Sequence, residues 1–117
     1  LNIEDFRDYC LAKAGVTEET PFGEDTLVFK VCGKIFALTS ISNFEAGINL
    51  KCDPELAVEL REKYPAVLPG YHMNKKHWNT VLPGGSVTDV LLRQWIDASY
   101  QLVVQGLPKS QQQALHL

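Results

Sequence analysis

Apolar residues recur along the chain in two periods, and the switches between them outline its elements. Ile3, Phe6, Cys10 and Ala14 lie three to four apart, the spacing of a helical stripe. Asn2 stands at the capping position, Glu4 and Asp5 suit the positive end of the helix dipole, and Lys13 with Gly15 mark the stop. After the acidic loop "TEETPFGED" the period shortens. "TLVFKV" and "KIFALTSI" are rich in β-branched and aromatic residues and are joined tightly through Cys32-Gly33, which predicts a β-hairpin. "NFEAG" is the next turn and "INLKC" alternates as a third strand, so an antiparallel meander is expected.

Asp53-Pro54 then predicts a helix start, with Asp as the cap and Pro at the first helical position, where it sacrifices no hydrogen bond. This helix runs to about Tyr64, its inward face made by Leu56, Ala57, Leu60 and Tyr64, and Pro65 stops it. Short extended pieces follow around Tyr71 and from Trp78 to Leu82. Beyond "PGG", Ser86 and Asp89 have the spacing of a capping box, and the broad stripe Leu91, Leu92, Trp95, Ile96, Ala98, Leu102 and Val103 carries a helix to about Gly106. A single domain over residues 1–117 is expected, with 109–117 as a frayed tail. The order α-β-β-β-α-β-β-α lacks βαβ regularity. It predicts an α+β fold in which helices pack on one face of an antiparallel sheet.

Composition changes this picture little. The 45% hydrophobic and 21% charged fractions are those of a globular domain. No apolar run approaches the ~20 residues of a membrane helix, and the charged start "LNIEDFRDYC" is not a signal peptide. A cytoplasmic address without a membrane partner is expected. Cys10, Cys32 and Cys52 are odd in number and far apart, so they predict buried small side chains rather than a disulfide framework.

Charge is more informative in its distribution. Residues 1–59 hold five Lys/Arg against eleven Asp/Glu, and residues 60–117 hold six against three, so the halves carry −6 and +3 of the net −3. Arg61, Lys63, Lys75 and Lys76 supply much of the positive side, which permits a basic patch on an acidic protein.

The densest chemistry lies in "PGYHMNKKHWNTV", Pro69 to Val81. His72 and His77 alone do not make a zinc site, which needs three or four converging ligands, and no metal or other cofactor is expected. No Gly-x-Ser-x-Gly, His-Glu-x-x-His or phosphate loop is present, so no catalytic residue is nominated. Two readings of the stretch remain. In the first, Lys75 and Lys76 at a hairpin-like tip meet phosphates, with His72, Asn74 and His77 as polar contacts and Arg61 and Lys63 flanking. In the second, Asp25, His72, Asn74, His77 and Trp78 line a pocket for a small ligand or a protein partner.

Three segments carry a resemblance. "YCLAKAGVTEETPFGEDTLVFKVCGKIFALTSI", "INLKCDPELAVELREKYPAVLPGYHMNKKHWNTV" and "WIDASYQLV" are similar to the MmcQ/YjbR family of small bacterial proteins. The most specific element is the run His72, Asn74, Lys75, His77 and Trp78, with "PFGEDTLVFKV" and "DASY" adding support. The resemblance implies an α+β fold similar to that of bacterial frataxin, and DNA binding with a double-wing arrangement; together with the first reading of the stretch, a non-enzymatic DNA-binding or regulatory module is expected. It carries no iron binding across, because a shared fold does not specify function.

Overall fold

Asn2 caps as its position predicts. In the computed structural model its Oδ1 accepts from the Asp5 amide at 2.8 Å and opens helix α1, Ile3–Leu11. The structure describes residues 1–70 and 73–115. The chain continues through strands β1 (Val16–Glu19), β2 (Thr26–Val31) and β3 (Lys34–Ser40), a 3-10 turn (Phe44–Ala46), and strand β4 (Ile48–Lys51). Helix α2 (Pro54–Lys63), strands β5 (Val67–Pro69) and β6 (Trp78–Val81), and helices α3 (Asp89–Gln105) and α4 (Lys109–Leu115) complete it.

The strands form one antiparallel sheet in the order β1-β2-β3-β4-β6-β5. The fold is therefore α+β, with helices on one face of the sheet. Residues paired across neighbouring strands share a face, which separates two populations. Leu27, Phe29, Ala37, Ile48, Leu50 and Val81 turn toward the helices and join Phe6, Leu92 and Ile96 in the core. The rings of Phe6 and Phe29 meet edge to face at 5.3 Å, a geometry that contributes about 0.5–1.5 kcal/mol beyond area burial. Val28, Leu38, Asn49, Thr80 and Leu68 turn to the other face.

The β2–β3 connection is tight for a definable reason. Cys32 and Gly33 have φ of 49° and 79°, positive at both central positions as a type I′ turn requires. Cys32 is consequently exposed, against the expectation that it is buried. Two positive-φ residues at a hairpin tip cannot also pack inward. Cys10 is buried as expected, and Cys52 is half-buried.

One register shift interrupts the ladder between β2 and β3 at Phe29/Lys30, leaving Phe36 opposite no β2 residue, and on the other side of β3 a serine of α3 bridges Phe36 to Lys51 of β4. Ser99, fully buried, donates its Oγ proton to the Phe36 carbonyl at 2.5 Å and accepts from the Lys51 amide at 2.8 Å. Its neighbours in "DASY" act alike: Asp97 accepts from the Tyr9 hydroxyl at 2.7 Å and pairs with Lys13, and the Tyr100 hydroxyl donates to the Ala14 carbonyl at 2.6 Å. This segment fastens α3 to the sheet and to α1.

Several expectations change. Thr17–Glu19, expected within the acidic loop, belongs to the edge strand β1; its burial alternates, but after Val16 the next inward position is Glu18, which pairs with Arg7 of α1 and so leaves no apolar pattern. The piece expected around Tyr71 falls outside the described residues, and the strand before the turn is β5 at Val67–Pro69. Thr88, not Ser86, caps α3, its side chain accepting from the Leu91 amide. Residues 109–115 form α4 rather than fraying: Gln112 Nε2 donates to the Leu107 carbonyl at 2.7 Å, and Leu115 packs against the core. Leu56 is 41% exposed. Helix α2 buries only Ala57 and holds to the sheet partly through Asn79 Nδ2, which donates to the Ala57 carbonyl at 3.3 Å. Among the described residues the Oδ1 of Asn79 is buried without a partner, which costs about 1–3 kcal/mol.

Candidate functional site

The turn that the densest chemistry occupies is built by its own polar side chain. Asn74 Oδ1 accepts from the Lys76 amide at 2.8 Å, and its carbonyl accepts from the amides of His77 and Trp78 at 3.2 and 2.8 Å. Short polar side chains that bond the backbone two residues on favour such turns. The His77 carbonyl accepts from the Cys52 amide at 2.7 Å, continuing the β4–β6 ladder. Gly70 lies so close to Trp78 that a Cβ there would stand 2.7 Å from the tryptophan Cβ and 2.8 Å from its carbonyl oxygen. Glycine is needed because the backbone passes directly over the strand. Trp78 is only 8% exposed, so it anchors the fold and presents no stacking surface.

Lys75 and Lys76 are exposed at the tip of this turn. Arg61 reaches from α2 and donates from Nη1 to the Lys75 carbonyl at 3.1 Å, which joins the three cations in one region. Lys63 does not join them. Its Nζ lies 5.4 Å from the centroid of the Tyr64 ring, which itself packs edge-on against Trp95 of α3 at 5.2 Å. His72 lies outside the described residues.

The register adds two cations that sequence reasoning missed. Leu50 pairs with Ala37 on one side and with Asn79 on the other, and Lys51 pairs with Trp78. The Cys32–Gly33 turn and the turn at residues 73–77 therefore lie at the same end of the sheet. Lys34 and Lys51 border a shallow hollow with Gly33 and Trp78 there. The end as a whole gathers Lys34, Lys51, Arg61, Lys75 and Lys76. Glu55 and Glu59 of α2 border Arg61 and Lys76 on one flank.

Asp25 belongs to the opposite end of the sheet, because Thr26 pairs with Ser40 and β4 begins there. Its carboxylate accepts from Ser40 Oγ at 2.7 Å, Ser42 N at 2.8 Å and Ser42 Oγ at 2.9 Å. Those hydrogen bonds, the one from Ser40 first, hold its pKa below the ordinary carboxylate value. Asp25 thus shapes the corner after β3. It does not share a site with Asn74, His77 and Trp78.

Between these ends the helix-free face of the sheet is concave. A cavity of about 490 Å³ lies over it, bordered by Phe22 and Thr26 on one side and by Leu68, Pro69 and Met73 on the other. Asn49 and Thr80 lie side by side in its floor, the Thr80 hydroxyl donating to Asn49 Oδ1 at 2.8 Å. The signal for this site was present in "INLKC", where an asparagine interrupts an apolar strand at a position that must face away from the core.

Comparison with known proteins agrees with this architecture. A family model described as YjbR matches residues 11–102. The chain is 49% identical over 92 residues to the uncharacterised protein YbdF of Escherichia coli O157:H7, covering 79% of this chain and 75% of that one. It is 34% identical over 115 residues to the uncharacterised protein YjbR of Escherichia coli strain K12, covering 98% of both. The crystal structure of Deinococcus radiodurans protein DR2400 superposes with a TM-score of 0.90 at 40% identity, covering 99% of this chain and 88% of that one. A Pseudomonas syringae protein does so with a TM-score of 0.74 at 34% identity, over 87% of this chain and 98% of that one.

Proposed function

The chain belongs to the YjbR family, and we propose that its domain binds DNA through the basic end of its sheet. One observation carries the reading: two hairpin ends leave that end together, and Lys34, Lys51, Arg61, Lys75 and Lys76 cluster around them. A pair of tips flanking a row of cations is what a double-wing contact with phosphates needs. The acidic flank of α2 limits the surface, so the backbone approaches over the tips and away from Glu55 and Glu59. Buried Trp78 and the turn-forming role of Asn74 leave the binding electrostatic rather than base-stacking. The domain acts as a binding module, and these residues hold and orient a nucleic acid without transforming it.

Contacts that neutralise about three phosphates give log K against log salt a slope near −3. The test is fluorescence anisotropy with labelled duplex and single-stranded DNA across a salt series. The double variant Lys75→Ala/Lys76→Ala is expected to flatten the slope by about two. No binding of either DNA at low salt, or an unchanged slope in the double variant, overturns the proposal.

A further inference from the structure

We infer that the concave, helix-free face of the sheet is a second binding site, for a small uncharged molecule that carries a carbonyl acceptor on an apolar body. The cavity's volume of about 490 Å³ lies within the range of small-molecule sites, roughly 300–1,000 Å³. Its lining is uncharged throughout, which separates it from the basic end of the sheet.

The recognition group is Asn49. It is 5% exposed, and its Oδ1 is occupied by the Thr80 hydroxyl, which fixes the amide's orientation. Its Nδ2 group has no acceptor among the described residues, yet it is not sealed from the surface as the Asn79 oxygen is. A donor held in the floor of an apolar hollow selects a ligand that brings an acceptor, because an apolar ligand leaves that donor unpaired.

The walls set the rest of the chemistry. Phe22 is 64% exposed at the rim, and Leu68 and Met73 face it across the cavity. An exposed phenyl ring within an acidic loop has no packing role in the core, and it offers a face to a flat apolar body. Asp25 stands next to the rim residue Thr26, and its hydrogen bonds from Ser40 and Ser42 hold it ionised. An anionic ligand would meet that carboxylate, so the site favours a neutral carbonyl over a carboxylate.

Three probes of similar size separate these requirements: benzamide, benzoate and toluene. They are titrated into the full isotope-labelled chain and followed by amide and side-chain NMR shifts. Benzamide is expected to move the Asn49 side-chain resonances and the Leu38 and Thr80 amides, with toluene weaker by about tenfold, the worth of one hydrogen bond, and benzoate weaker because its charge meets that of Asp25. Asn49→Leu is expected to erase the preference for benzamide over toluene. Phe22→Ala, at an exposed position that folding does not need, is expected to weaken benzamide several-fold without moving the melting temperature, and it covers the case in which Asn49→Leu does not fold. Shifts absent from the cavity, equal binding of benzoate, or benzamide binding unchanged in Phe22→Ala overturns the inference. None of these outcomes bears on Lys75 and Lys76, so the two sites stand or fall separately.

Discussion

Replacing Ser99 with alanine removes one hydroxyl and strands two backbone groups. Just past the last β3–β4 pair, Ala37 with Leu50, Ser99 stands between the strands, donating to the Phe36 carbonyl and accepting from the Lys51 amide. The Phe36 bond is buried, so the orphaned carbonyl carries the full desolvation penalty, about 1–3 kcal/mol. The Lys51 bond is only partly buried; water reaches its amide more easily, and about 0.5–1.5 kcal/mol is lost there. The sum is on the order of 3 kcal/mol. An unfolding entropy of about 2.1 cal/mol/K per residue over 117 residues makes about 0.25 kcal/mol/K. Ser99→Ala therefore lowers the melting temperature by roughly 12 °C. Calorimetry measures the shift, and urea unfolding followed by tryptophan fluorescence measures the free energy. The m-value stays unchanged, since the folded state keeps its surface. Ala98→Ser, one residue away and exposed, is the control and stays within about 0.5 kcal/mol. A Ser99→Ala loss below about 1 kcal/mol refutes the reasoning, because Phe36 and Lys51 would then be satisfied without the hydroxyl.

Two further outcomes follow from local structure. Cys32→Asn keeps the positive φ of 49° with a residue that tolerates it, so stability rises by about 0.5–1 kcal/mol, whereas Cys32→Val lowers it; equal urea midpoints for the two would rule out backbone strain at the hairpin tip. Burial pushes the Tyr9 hydroxyl up to about 12, with its hydrogen bond to Asp97 adding to the shift, and burial, opposed by the charge of Lys13 and helped by that of Asp97, lifts the Cys10 thiol to about 12. The fold thus favours both neutral forms. The unfolded chain loses these protons first, from its ordinary values of 9.0 and 10.0, so the contribution of these two groups is level below about pH 9 and is lost as pH rises toward 12. Tyr9→Phe makes that decline shallower above pH 10, and identical alkaline slopes for the two proteins would remove Tyr9 from the account.

What the residues announce locally, the structure keeps. Asn2 and Asp53 cap their helices, Cys32-Gly33 turns the β2–β3 hairpin, the β-branched and aromatic run "TLVFKV" becomes β2, and the alternating "INLKC" becomes β4. Each of these depends on atoms a few residues apart, where steric preference and short hydrogen bonds act without help from the rest of the chain. Val16–Glu19 shows the limit: its second inward position is a glutamate held by Arg7 of α1, a partner from another element, so no apolar alternation was there to read.

The sites divide in the same way. The cluster at Asn74 to Trp78 is visible as composition, but only the fold reveals that Asn74 builds a turn, Trp78 is buried and Lys63 turns toward Tyr64. Lys34 and Lys51 belong to strands, apart from the helix of Arg61 and the turn of Lys76, and register puts them at the same end of the sheet. Asn49 and Thr80 meet because β6 inserts between β4 and β5. The sequence by itself determined the elements, their caps and the family. Which side chains face each other was decided by the order of strands, because pairing partners are chosen by burial of the whole face and not by neighbours in the chain.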